Sequence, residues 1–163
     1  MIKPIPVPRA DIIAGEPWRP CLQVGYFVEQ VRESGGEAEL SPDALLFADL
    51  WKYLGEVTNG GHAQYHENEE DCVLRLHALR ELLRRIGLPG HAELLNKLEH
   101  IIIENEDDIF ELWAGGDDMM AKEIFYGVDD QFAELEVSEG RLQDHLWNWL
   151  VQQPWIVPED DQR

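Results

Sequence analysis

The clearest structural signal in the chain lies in residues 73–102, which read VLRLHALRELLRRIGLPGHAELLNKLEHII. Leucine, valine and isoleucine recur there every three or four residues on both sides of residues 87–90, which is the period of an amphipathic α-helix. The glycines and the proline of residues 87–90 interrupt a helix. The segment therefore predicts two helices, the second over residues 91–105, that pack as an antiparallel hairpin.

The same helical period continues on both sides of the hairpin. Upstream, Ser41 and Pro42 suit the N-cap and the first position of a helix. Downstream, short amphipathic segments follow, at residues 109–113, 117–125 and 129–135, before a last helix that ends near Pro154. No alternating strand pattern stands out. The predicted fold is an all-α, single-domain helical bundle.

The ends of the chain differ in composition from its middle. Residues 1–20 contain five prolines, and proline removes a backbone donor and fixes φ, so this segment is predicted to be an extended N-terminal arm. Because 163 residues are the usual size of one domain, a single all-α domain is predicted over residues 21–157. The acidic residues 158–163 are predicted to be a frayed tail.

The negative charge of the chain is concentrated in one part of it. The formal net charge is −20, and residues 99–163 contain 18 acidic and three basic side chains. Such a field repels nucleic acid and anionic membrane and attracts basic partners. With two cysteines, no apolar signal segment and no apolar run of about 20 residues, the protein is expected to be cytoplasmic.

Residues 59–68, NGGHAQYHEN, form a second distinctive segment. One interpretation is a ligand-binding turn that presents the polar groups of Gln64, Tyr65 and Asn68. The other is a helix exit, in which glycine supplies a positive φ and side-chain amides satisfy buried backbone groups. We favour the helix exit because glycine frequently ends helices.

This segment resembles the signature of the DNA mimic protein nineteen-like family, a bacterial domain of unknown function. The residues that carry the resemblance are Asn59, Gly60, Gly61, Gln64, Tyr65 and Asn68. His62 and His66 stand where the family usually has aromatic residues. The resemblance spans roughly residues 45–154 and implies an all-α fold, a homodimer and, if this member shares the activity, DNA mimicry.

A set of carboxylates in the acidic half is the candidate partner-binding face. Its members are Asp107, Asp108, Glu111, Asp117, Asp118, Glu123, Asp129, Asp130 and Glu134. Carboxylates three or four residues apart on a helix lie about 5–6 Å from each other, and DNA presents phosphates that Lys and Arg neutralise. A non-enzymatic protein that occupies the DNA-binding surface of a basic regulator is therefore predicted. Alternatively, Arg80, Arg84 and Arg85 pair with the acidic half inside the molecule and reduce its outward field.

Two other functions stay open. The first is a metal-dependent enzyme or small-molecule binder, because His62 and His66 have the i, i+4 spacing of zinc-binding helices. However, Ala63 follows the first histidine where a metalloprotease has glutamate, so no catalytic residue and no cofactor are predicted. The second is an acidic helical protein without a dedicated charge partner, whose charge serves solubility.

Overall fold

The computed structural model describes residues 2–160, which are mostly helical and include one small sheet. The elements in chain order are β1 (Ile5–Pro8), α1 (Arg9–Ala14), α2 (Trp18–Glu33), a short 3-10 turn (Glu37–Glu39), α3 (Pro42–Asn68), α4 (Cys72–Arg85), α5 (Pro89–Glu104), α6 (Glu106–Ala114), α7 (Asp118–Glu123), α8 (Tyr126–Ser138), α9 (Leu142–Leu150) and β2 (Ile156–Glu159). The all-α prediction is confirmed. No helix within residues 2–160 is both long and apolar enough to cross a membrane.

The predicted hairpin is formed by α4 and α5, which pack against each other. Their facing leucines are fully buried, among them Leu76 and Leu79 on α4 and Leu94 and Leu98 on α5. Gly87, with φ of 84°, makes the turn possible, because few other residues adopt this conformation. The second helix begins at Pro89, where a missing N–H has no cost, and so two residues earlier than predicted.

The prediction of an extended arm over residues 1–20 is correct only for β1. Arg9–Ala14 is helical, and α2 begins at Trp18, inside the segment predicted to be extended. The physical reason is that Pro17 and Pro20 lie at the start of α2, where the N–H that proline lacks would have no intrahelical partner.

The prediction of a frayed tail is also wrong for the part of it that the structure describes. Residues 156–159 form β2, which pairs in parallel with β1, Ile5 facing Ile156. The Asp160 carboxylate accepts a hydrogen bond of 2.8 Å from Nε of Arg9. The last three residues of the predicted tail, Asp161, Gln162 and Arg163, lie outside the described residues.

The chain divides into two compact units. One consists of Met1–Lys52 with Leu142–Arg163, and the other is Tyr53–Arg141. In the first, the core contains Val24 and Val28 of α2 and Leu146 of α9. In the second, α8 packs against α5, and all nine candidate carboxylates lie in this unit. That residues 21–157 form a single domain stays a prediction.

Candidate functional site

The kink in α3 is the centre of the signature segment. Helical geometry is interrupted at Gly60 and Gly61, and residues 62–68 resume the helix for two turns. Gly61 has φ of 78°, and a Cβ added there would lie 2.8 Å from Oδ2 of Asp129. Glycine is therefore required at this position both by the backbone and by the close approach of the carboxylate.

The side-chain amides of the signature segment have hydrogen-bond partners on α3. Asn59 Nδ2 donates to Oε1 of Gln64 over 3.2 Å, and Gln64 Nε2 donates to Oε2 of Glu56 over 2.6 Å. Asn68 Nδ2 donates to the same Glu56 oxygen over 2.9 Å. These contacts support the helix exit over the ligand-binding turn, because the amides already have partners within the kink.

His62 is completely buried, and both of its ring nitrogens have partners. Nδ1 lies 2.6 Å from Oδ1 of Asp129, and Nε2 lies 2.9 Å from the hydroxyl of Tyr53. Burial raises the pKa of Tyr53 well above its ordinary value, so its phenol stays protonated. Because a carboxylate only accepts, Nδ1 of His62 donates to Asp129, and Nε2 shares a hydrogen bond with the phenol hydroxyl.

His66 packs among aromatic rings. Its ring centroid lies 5.0 Å from that of Trp113 and 5.9 Å from that of Phe125. Burial lowers the pKa of His66, and the nearby Glu106 carboxylate opposes this in part. Within residues 2–160, no group of three His, Cys, Asp or Glu side chains could hold a metal ion. His62 is therefore a packed core residue, whereas His66 is half-buried among aromatic rings.

Eight of the nine candidate carboxylates are exposed. They are Asp107, Asp108, Glu111, Asp117, Asp118, Glu123, Asp130 and Glu134. Asp129 is the exception, since its half-buried carboxylate is turned to the backbone N–H and ring of His62. The sequence offered no signal for this contact, which joins residues 67 positions apart.

Three of these carboxylates line one groove between α6 and α7. Asp108, Glu111 and Glu123 lie along a cavity of about 560 Å³, whose apolar lining residues are Leu112, Met120 and Ile124. Residues 106–123 contain seven acidic side chains and one lysine. The acidic residues at the start of α6 also stabilise that helix, because its N-terminus carries a partial positive charge. We call this feature the acidic groove.

The pairing of hairpin arginines with the acidic half is found for Arg80, whose partner Glu99 is not one of the eight exposed candidate carboxylates. Arg80 pairs with Glu99 over 2.6 Å, and Arg84 pairs with Glu81 of its own helix. In the described part of the chain, none of the eight exposed carboxylates has a lysine or arginine nitrogen within 4.0 Å. Asp117 has a local role as well, since its side chain caps α7 by accepting from the N–H of Met120.

Comparison with known protein families identifies the class of protein to which the chain belongs. A family model described as DMP19-like protein matches residues 38–153. The chain therefore belongs to the DMP19-like protein family, and the resemblance inferred from the signature segment is confirmed. No curated protein and no solved structure shows a significant match to the chain.

Proposed function

We propose that this protein binds a basic protein through the acidic groove and the exposed carboxylates around it. The observation that supports the proposal best is the combination of exposure with the absence, among the described residues, of a lysine or arginine within 4.0 Å. An unneutralised field of one sign steers association with a partner of opposite charge. A surface that served solubility alone would not need three carboxylates in one groove.

A DNA-binding regulator is the class of partner that we propose. Such a protein presents lysine and arginine side chains that neutralise phosphates, and carboxylates on a rigid helical scaffold can take the place of those phosphates. The apolar lining of the groove, Leu112, Met120 and Ile124, adds contact area for the methylene stems of these side chains. Binding of the protein and of DNA to the regulator would then be mutually exclusive.

The proposal extends to assembly and location. The homodimer implied by the family resemblance would present two acidic grooves to a partner that is itself symmetric. The protein must also share a compartment with DNA-binding proteins, as the cytoplasmic location expected from the sequence allows. Light scattering coupled to size-exclusion chromatography measures the mass in solution, and a mass of 18.8 kDa, that of a single chain, would overturn the dimer.

Competition with DNA is the experiment that tests the proposal. The protein is immobilised, proteins of a bacterial lysate are retained at low salt, and the column is then eluted with short duplex DNA. We expect duplex DNA to release the retained basic proteins, because both ligands use the same surface of the partner. The control is elution with sodium chloride that supplies the same amount of negative charge as the DNA. Retention of the basic proteins in the presence of DNA would overturn the proposed mimicry.

A further inference from the structure

A second cavity lies in the same unit as the acidic groove and shares no lining residue with it. Its volume is about 660 Å³, within the range of small-molecule sites. It is bounded by the connection between α3 and α4, the start of α4, and parts of α5 and α6. We call it the α4–α6 cavity.

The lining of the α4–α6 cavity combines two chemistries. Exposed carboxylates come from two segments of the chain. Glu67 lies at the end of α3 and is followed by Glu70 and Asp71 before α4, and Glu106 lies at the start of α6. A fifth carboxylate, Glu69, is buried and held by Nε of Arg75 over 2.8 Å. Neither lysine nor arginine is among the described residues that line the cavity.

The rest of the lining is apolar and aromatic. It includes Ile102, Ile109, Phe110 and Trp113, and the Phe110 ring is 73% exposed. Phe110 therefore gives the cavity an aromatic ring that a ligand can reach. His66 forms part of the same wall, and because burial lowers its pKa, this ring is mainly neutral near pH 7 and does not oppose a cation.

We propose that the α4–α6 cavity binds a linear aliphatic polyammonium ion. The ammonium groups would face the carboxylates of the two segments, and the methylene chain would lie on the apolar lining. The Trp113 and Phe110 rings add the attraction of an aromatic face for a cation. A polyammonium ion joins several positive charges by an apolar chain, and the lining offers both carboxylates and apolar side chains.

Other ligand classes fit the lining less well. An anion is repelled by the carboxylates, and a neutral apolar ligand would remove them from water without giving them a partner. A single metal ion would need three or more ligands in one place, and residues 2–160 contain no such group. One lysine side chain of a partner protein would leave most of a cavity of about 660 Å³ empty.

Calorimetric titration of the full chain with spermidine at low salt tests the inference. We expect saturable binding of one spermidine per chain. The double variant Glu70→Gln/Glu106→Gln should weaken the affinity about tenfold or more, since two exposed ion pairs are lost. Phe110→Ser should weaken it several-fold, and this exposed ring can be replaced without disturbing the core.

The matched control is Glu111→Gln/Glu123→Gln, which removes the same charge from the acidic groove. We expect its spermidine affinity to stay within about twofold of the wild type, since those carboxylates lie outside the cavity. Equal weakening by both double variants would show diffuse counterion binding and overturn the inference. So would spermidine binding that does not saturate, or displacement of spermidine by an equal concentration of Mg²⁺ or of arginine methyl ester. These spermidine titrations do not test the competition with DNA that we propose for the acidic groove.

Discussion

The carboxylate of Asp129 accepts two hydrogen bonds from His62, one from Nδ1 over 2.6 Å and one from the backbone N–H over 2.9 Å. This pair ties α8 to the point where α3 resumes after its glycine kink. The approach is possible because Gly61 has no side chain. Gly61 and Asp129 therefore have a role in folding, and the binding role that we propose is assigned to the exposed carboxylates.

Loss of the Asp129 carboxylate should destabilise the protein. In Asp129→Ala, two buried donors of His62 lose their acceptor, and we expect a loss of about 1–3 kcal/mol in the free energy of unfolding. Asp130→Ala removes the same charge from an exposed neighbour and should change that free energy by less than about 0.5 kcal/mol. Urea denaturation of both variants measures the difference, and equal midpoints would contradict this role for Asp129.

Two glycines of α3 should respond in opposite directions to substitution by alanine. Gly61→Ala places a Cβ against the Asp129 carboxylate at a positive φ, so we expect a loss of more than about 1 kcal/mol. Gly55 lies in the regular part of the helix with open space around it, and Gly55→Ala should stabilise by about 0.5–1 kcal/mol. Thermal unfolding of both variants and the wild type is the measurement. A Gly61→Ala protein as stable as the wild type would show that the fold does not need the kink in α3.

The stability of the protein should depend on His66 below neutral pH. Because its folded pKa is lowered from 6.5, the unfolded chain binds the proton more readily, and stability is lost as the pH falls below that value. His66→Phe keeps an aromatic ring beside Trp113 and removes the titration. We expect the variant to lose less unfolding free energy than the wild type between about pH 7.5 and 5.5. If the unfolding free energies of the two proteins decreased equally with falling pH, protonation of the His66 imidazole would have no effect on stability.

Both thiols should be unreactive in the native protein. Cys21 and Cys72 are buried, and burial raises the pKa of each to about 12, so thiolate is scarce at neutral pH. We expect a disulfide reagent to modify neither cysteine in buffer at about pH 8 and to modify both in denaturant. Rapid modification of the native protein would show that one of these sites opens readily.

The features that the sequence predicted correctly are those fixed by neighbouring residues. The hairpin of residues 73–102 follows from a leucine period and a glycine–proline turn, and the break at Gly60 and Gly61 follows from their conformational freedom. The exposure of most candidate carboxylates also follows from the high cost of burying a charge.

The features that the sequence did not predict depend on contacts between distant residues. Strand β1 exists because it pairs with β2, about 150 positions away, and each segment is too short and too rich in proline to show an alternating pattern. Asp129 has the same local sequence character as its exposed neighbour Asp130, and only the approach of His62 distinguishes them. The grooves between helices likewise have no local signal.

The contribution of the acidic groove to partner binding tests the central claim most directly. The variant Asp108→Gln/Glu111→Gln/Glu123→Gln is compared with Glu33→Gln/Glu37→Gln/Glu39→Gln, whose carboxylates are also exposed, and each variant changes the net charge from −20 to −17. Proteins retained from a lysate at low salt are quantified by mass spectrometry and released by duplex DNA. We predict that the groove variant loses the DNA-releasable proteins and that the control keeps them, whereas equal retention by both variants would contradict the account.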